Sequence, residues 1–150
     1  MDTLLTTIVL WLSLNFNLPA NYEHPRVEFA NQGRISELYN RDALTSRGAL
    51  GGDRAVGASD TIVAIYVATE RKIYLPEGWT GRTPVESSIL VHEMVHHLQN
   101  IAGNRYACPQ ERERLAYEAQ DKWLNLMGRS LESELQLDGF TRLVLTQCLN

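Results

Sequence analysis

Apolar positions recur along this chain with two spacings, and the spacing changes from segment to segment. From Leu4 to Leu18 the apolar residues Leu5, Ile8, Leu12 and Phe16 fall on one helical face, with Thr6, Thr7, Ser13 and Asn17 elsewhere on the surface. Arg26 to Ala30 alternates as a strand does, behind Pro25, and Ile35 to Leu44 reads as a weak helix. Two runs rich in β-branched and aromatic residues follow, Thr61 to Val67 and Lys72 to Leu75. Only Ala68 to Arg71 separates them, so a hairpin is expected. Between the early and late strands, Gly48 to Asp60 reads as a glycine-rich loop and as the most mobile part of the chain.

The helical spacing then returns with clear boundary signals. Thr83, Pro84 and Glu86 form a capping box with proline at the first helical position, opening a helix from Pro84 to about Ile101 that Gly103 stops. Pro109 opens a second helix running to Met127, with Gly128 as its end. A short third helix begins at Ser130, Asp138 and Gly139 break it, and Phe140 to Leu145 gives a last helical turn or two before Cys148. The expected fold class is therefore α+β. With 150 residues, 44% of them hydrophobic, the chain has the size of a single domain over 1–150 with one sizeable core.

Charge and cysteines narrow the setting. A net charge of -4 leaves no basic surplus for a phosphate backbone, so nucleic acid is excluded as an expected partner. The apolar N-terminal stretch is too short and polar to span a membrane. It also lacks any Lys or Arg before Arg26, which favours a retained amphipathic helix over a secretory signal, both readings staying open. Cys108 and Cys148 allow one disulfide tying the tail to the loop ahead of a helix, which implies an oxidising, periplasmic or secreted setting; two independent buried thiols would instead suit the cytoplasm. A nucleophilic role for Cys108 needs an activating base, and the nearby histidines are better explained otherwise.

The chemistry concentrates in His92-Glu93-Met94-Val95-His96, an HExxH motif flanked by Ile89, Leu90, Val91, His97 and Leu98, all uncharged at neutral pH. Residues four apart on a helix share a side, so His92 and His96 can meet one zinc ion, while Glu93 stands beside it as the expected general base. Val91, Met94, Val95, Leu98 and Ile101 gather on the opposite side as a core face. Gln99 lies near enough to orient a ligand from behind. His97 sits about 100° around the helix from His96 and is read as structural, and His24 as a surface or packing residue.

A catalytic zinc usually takes three protein ligands and keeps one open position. The metzincin extension is absent, since Gln99 and Ala102 stand where glycine and histidine would be needed. The second helix offers a glutamate instead. Glu113 borders its apolar side, formed by Leu115, Ala116, Ala119, Trp123 and Met127, whereas Glu118 falls on the far side with Arg114 and Asp121. Facing favours Glu113; Glu118 and then Glu111 remain alternatives, and a solvated Glu113 paired with Arg112 or Arg114 is the bland one.

HEMVHHLQ, a short loop, then Glu113, Ala116 and Tyr117 resembles the small gluzincins, where a glutamate helix closely follows the motif helix. Many such families carry an ExxAD-like signature; here Tyr117 stands in place of the aspartate. Ile62 to Cys148, with YLPEGWTGRTP before the motif and CPQ after it, also resembles a bacterial family of short, uncharacterised zincin-like proteins. The resemblance implies a small sheet packed on the motif helix, with an edge strand beside the metal for which Lys72 to Leu75 is the candidate. An exposed edge can add an extended peptide as a further strand, which favours a peptide or protein substrate.

The combined expectation is a zinc-dependent hydrolase cleaving peptide bonds, with Tyr106 or Tyr117 as possible oxyanion donors. Its rival is a non-catalytic zinc-binding or partner-binding protein, whose closed site would recruit a fourth ligand such as Glu118 or Cys108.

Overall fold

The structure, a computed structural model, describes residues 1–45, 54–56 and 62–148. Its elements in chain order are helix α1 (Asp2–Phe16), strand β1 (Arg26–Ala30), α2 (Gln32–Thr45), β2 (Arg54–Val56), β3 (Ile62–Val67) and β4 (Lys72–Pro76). Four helices follow: α3 (Pro84–Ala102), α4 (Pro109–Asn125), α5 (Leu131–Leu135) and α6 (Gly139–Thr146). The α+β class is as the sequence reads.

The strands form one mixed sheet in the order β1-β4-β3-β2. β3 and β4 make the expected antiparallel hairpin, with Tyr66 opposite Ile73. Beyond it, β1 pairs with β4 in parallel, Val27 opposite Ile73, so the chain must cross over between them. Lys72 to Leu75 is therefore an interior strand, contrary to its reading as the sheet's edge. Its outer hydrogen-bonding groups are already taken by β1, a pairing between segments more than forty positions apart that no local pattern announces. Residues 54–56 likewise form β2, paired with β3 across a register irregularity, where the sequence reads only loop. The remainder of the Gly48 to Asp60 segment, and the mobility expected of it, lies outside the described residues.

Strand alternation sorts the core into two layers. Ala64, Tyr66, Ile73 and Leu75 face α1 and α3 and join Leu5, Ile8, Val9, Leu12, Leu90, Met94 and Leu98 in the main core. Ile65, Val67 and Tyr74 point the other way, against Ile35 and Leu38 of α2. Burial on both faces explains why β3 and β4 read as nearly continuous apolar runs. In α1, Thr6 is a half-buried post: its Oγ1 lies 2.9 Å from His24 Nε2, fixing the segment that leads into β1. Among the described residues no helix is long and apolar enough to cross a membrane.

The capping box at α3 forms as expected: Thr83 Oγ1 accepts from Glu86 N at 3.1 Å, and the Glu86 carboxylate accepts from Thr83 N at 3.2 Å. Burial pushes the Glu86 carboxyl up, but hydrogen bonds from Thr80 and Thr83 outweigh it and hold its pKa below the ordinary value. Trp79 seals this corner by donating its indole N–H to Glu86 O at 3.0 Å. Gly81 permits it, because its φ is +72° and a Cβ there would lie 2.6 Å from the Trp79 ring.

The α4 helix stops at Asn125, two residues before the expected Met127. Leu126, Met127 and Gly128 each donate to a carbonyl three residues back, a tightened closing turn that leaves Met127 exposed instead of on the apolar face.

Cys108, the N-cap of α4, is disulfide-bonded to Cys148 just beyond α6, with Cα atoms 5.7 Å apart. The bridge closes a segment with a sequence separation of 40. In the chain-entropy account a loop of this length stabilises by about 4 kcal/mol. Replacing both cysteines with serine should lower the unfolding free energy by that order in denaturant titrations. Mass spectrometry without reduction should show the crosslinked peptide pair; two freely alkylated thiols in protein from an oxidising compartment would refute the bridge.

Candidate metal centre

Only six residues link α3 to α4, so the two helices pack as antiparallel neighbours. Hydrogen bonds along the seam show the direction. Arg112 reaches Gln99, Glu113 lies between His92 and His96, Gln120 reaches Ser88, and Trp123 donates to Ser87 Oγ at 2.9 Å. The sequence gives α3 an apolar side and a chemical side, and both are buried: every residue from Ser87 to Gln99 is inside. Sheet and α1 cover the apolar side, and α4 helps to cover the other.

Four-residue spacing brings the imidazoles of His92 and His96 together, with ring centroids 5.0 Å apart and Nε2 atoms 3.2 Å apart. Glu113 closes the group from α4, its Oε2 3.0 Å from His92 Nε2 and its Oε1 3.4 Å from His96 Nε2. One potential ligand atom from each of these three residues lies within 4.8 Å of the others, a group that could hold a metal ion. Burial pushes the Glu113 carboxyl up, yet the facing His96 and His92 outweigh it and hold it well below the carboxylate range. Glu113 is thus an ionised, inward-facing acceptor.

The far nitrogens of the two rings decide what the near ones offer. His92 Nδ1 lies 3.0 Å from Gln120 Oε1, and His96 Nδ1 lies 3.0 Å from Gln99 Oε1. An amide oxygen can only accept, so each Nδ1 carries the proton and each Nε2 presents its lone pair. Two lone pairs and a carboxylate then converge on one point. They repel unless a cation lies among them, a shared proton in the metal-free chain or a metal ion in its place, so this donor set fits a bound metal ion.

The other sequence-identified residues sort themselves by position. Glu93 is fully buried on α3, one residue past His92. Glu118 points outward and is exposed, while Glu111 accepts from Ala107 N at 2.7 Å in the first turn of α4, so neither joins the cluster. Tyr117 sets its ring edge-on against His92 with centroids 4.8 Å apart. Tyr106 lies further off, beside the Arg112 guanidinium. His97 faces away, with Nδ1 3.2 Å from Tyr66 Oη and Nε2 3.3 Å from Glu23 O, and burial lowers its pKa. It is structural, as read from its phase. Gln120 is the residue that sequence reasoning missed. Its spacing of seven from Glu113 puts it on the same helical face, a signal that an uncharged amide, no metal ligand by itself, carries only weakly.

Residues 1–138 match a family described as a domain of unknown function, DUF6647. The chain belongs to that family. No curated protein and no solved structure matches it. In this DUF6647 chain the chemistry of the centre itself is the guide to function.

Proposed function

We propose that the chain is a zinc-dependent hydrolase of gluzincin type, with His92, His96 and Glu113 as ligands and Glu93 as general base. The observation that carries this reading is a three-ligand set with no fourth. Among the described residues no further His, Cys, Asp or Glu joins the group, and both residues that a closed site could recruit are committed elsewhere. Cys108 is bonded to Cys148, and Glu118 faces solvent. Two imidazoles and a carboxylate suit zinc, and three protein ligands leave one position for chemistry.

Bound zinc supplies Lewis acidity, polarising a carbonyl oxygen and lowering the pKa of water to about 7. Glu93 then takes the proton of the attacking water and delivers it to the leaving amine, so one carboxylate serves both halves of the reaction. Peptide substrates are supported by a sheet edge other than the one first expected. Of the two outer strands, β2 packs against α3, and among the described residues no strand pairs with its other side, where an extended chain could add.

One observation favours the rival, a non-catalytic zinc protein: His92, Glu93 and His96 are fully buried. Zinc content measured together with cleavage of a mixed peptide library separates the two. The hydrolase reading expects about one zinc per chain and cleavage that a chelator removes and zinc restores. Stoichiometric zinc with every peptide intact supports the rival.

A further inference from the structure

Resting on the metal-centre reading above, we infer that Gln120 is a positioning residue for His92, and that Ser88 sets the direction of its amide so that His92 is a ready-made Nε2 ligand. The hydrogen bonds run outward from the ring. His92 Nδ1–H donates to Gln120 Oε1 at 3.0 Å, and Gln120 Nε2–H donates to Ser88 Oγ at 3.2 Å. Ser88 Oγ–H in turn donates to Val85 O at 2.8 Å, inside the first turn of α3. Val85 O is a backbone carbonyl and can only accept. Each donor upstream is then fixed: Ser88 has spent its hydrogen and must accept, so Gln120 presents its NH₂ to Ser88 and its oxygen to His92. A reversed amide would set the Gln120 oxygen against the lone pairs of Ser88 Oγ, two acceptors with no hydrogen between them.

A parallel chain serves His96, whose Nδ1–H donates to Gln99 Oε1 while Gln99 Nε2–H donates to Arg112 O at 3.2 Å. Both chains end on carbonyl oxygens, so both imidazoles are held in one tautomer and one orientation by the helix backbones. His92, Ser88, Gln120, His96 and Gln99 are all buried, so water does not compete for these bonds. Where the resemblance expects an aspartate at Tyr117, the Tyr117 ring packs on His92 and Gln120, one turn on, supplies the acceptor. An amide in that place orients the ligand without adding a second negative charge beside Glu113.

The test is zinc affinity of the full chain, measured by competition with a chromophoric chelator. Gln120→Leu keeps the volume and removes the acceptor, and should weaken zinc by about 10- to 100-fold, the usual loss on removing such a partner. Gln120→Glu restores an acceptor and should bind within a few-fold of the parent. Ser88→Ala should weaken zinc in the parent and have no further effect in the Gln120→Leu background, because it acts through Gln120. Parent-like affinity in Gln120→Leu overturns the inference, as does a Ser88→Ala effect that is fully additive with it. A parent that takes up no zinc overturns this inference and the metal centre together. Zinc affinities that follow the expected order in a protein that cleaves nothing uphold it while removing the hydrolase reading.

Discussion

Glu93→Gln should leave zinc content unchanged and cut hydrolysis by at least about 10²- to 10⁴-fold, the range assigned to general-base catalysis. Glutamine has nearly the volume of glutamate, so it fits the same buried position on α3 without opening a cavity. It cannot accept a proton, and the attacking water then loses its base. Steady-state rates on any cleaved peptide, taken at full metal occupancy, give the comparison. Equal rates in parent and variant would remove Glu93 from the mechanism even with the metal site intact. A fall in zinc content would assign Glu93 to the ligands instead.

Glu113→Ala should weaken zinc by more than the about 10- to 100-fold that losing an outer partner costs, since in the proposed centre it removes a ligand outright. Glu118→Ala, on the exposed face of the same helix, should bind as the parent does. The contrast rests on helix phase. Glu113 and Glu118 are five residues apart, which at about 100° per residue places them well over a quarter-turn apart and on different faces. Circular dichroism on both variants checks that α4 survives, because truncating a buried side chain at the α3–α4 seam also removes packing. Zinc loss confined to Glu118→Ala would mean that α4 packs with its other face toward α3.

The parts of this protein legible in its sequence are those set by short-range chemistry. The α3 start follows from a hydroxyl and a carboxylate three residues apart, and the β3–β4 hairpin from two β-rich runs with four residues between them. The pairing of His92, His96 and Glu113 was readable because helix phase converts spacing into facing, and the short loop makes α3 and α4 neighbours. What was not readable depends on segments far apart. The parallel pairing of β1 with β4 follows from a crossover, and it moves Lys72 to Leu75 from the edge of the sheet to its interior. The three-residue β2 is too short, and too rich in surrounding glycine, to show a period.

The burial of α3 on every side is a third case. Its chemical face carries His92, Glu93, His96 and Gln99, residues that a hydropathy pattern counts as polar. Three of them find hydrogen-bond partners there: His92 bonds Gln120, His96 bonds Gln99, and Gln99 donates to Arg112 O. That compensation is a property of the packed helix pair. For the same reason Gln120 carries no motif of its own: its spacing from Glu113 gives the facing, and the distance to His92 Nδ1 gives the role.

Elemental analysis of the purified chain beside its His96→Ala variant tests the central claim most directly. The metal centre described here predicts about one zinc per parent chain and almost none in the variant, with the helical content of both unchanged. Equal zinc in the two proteins, or none in either, would contradict it.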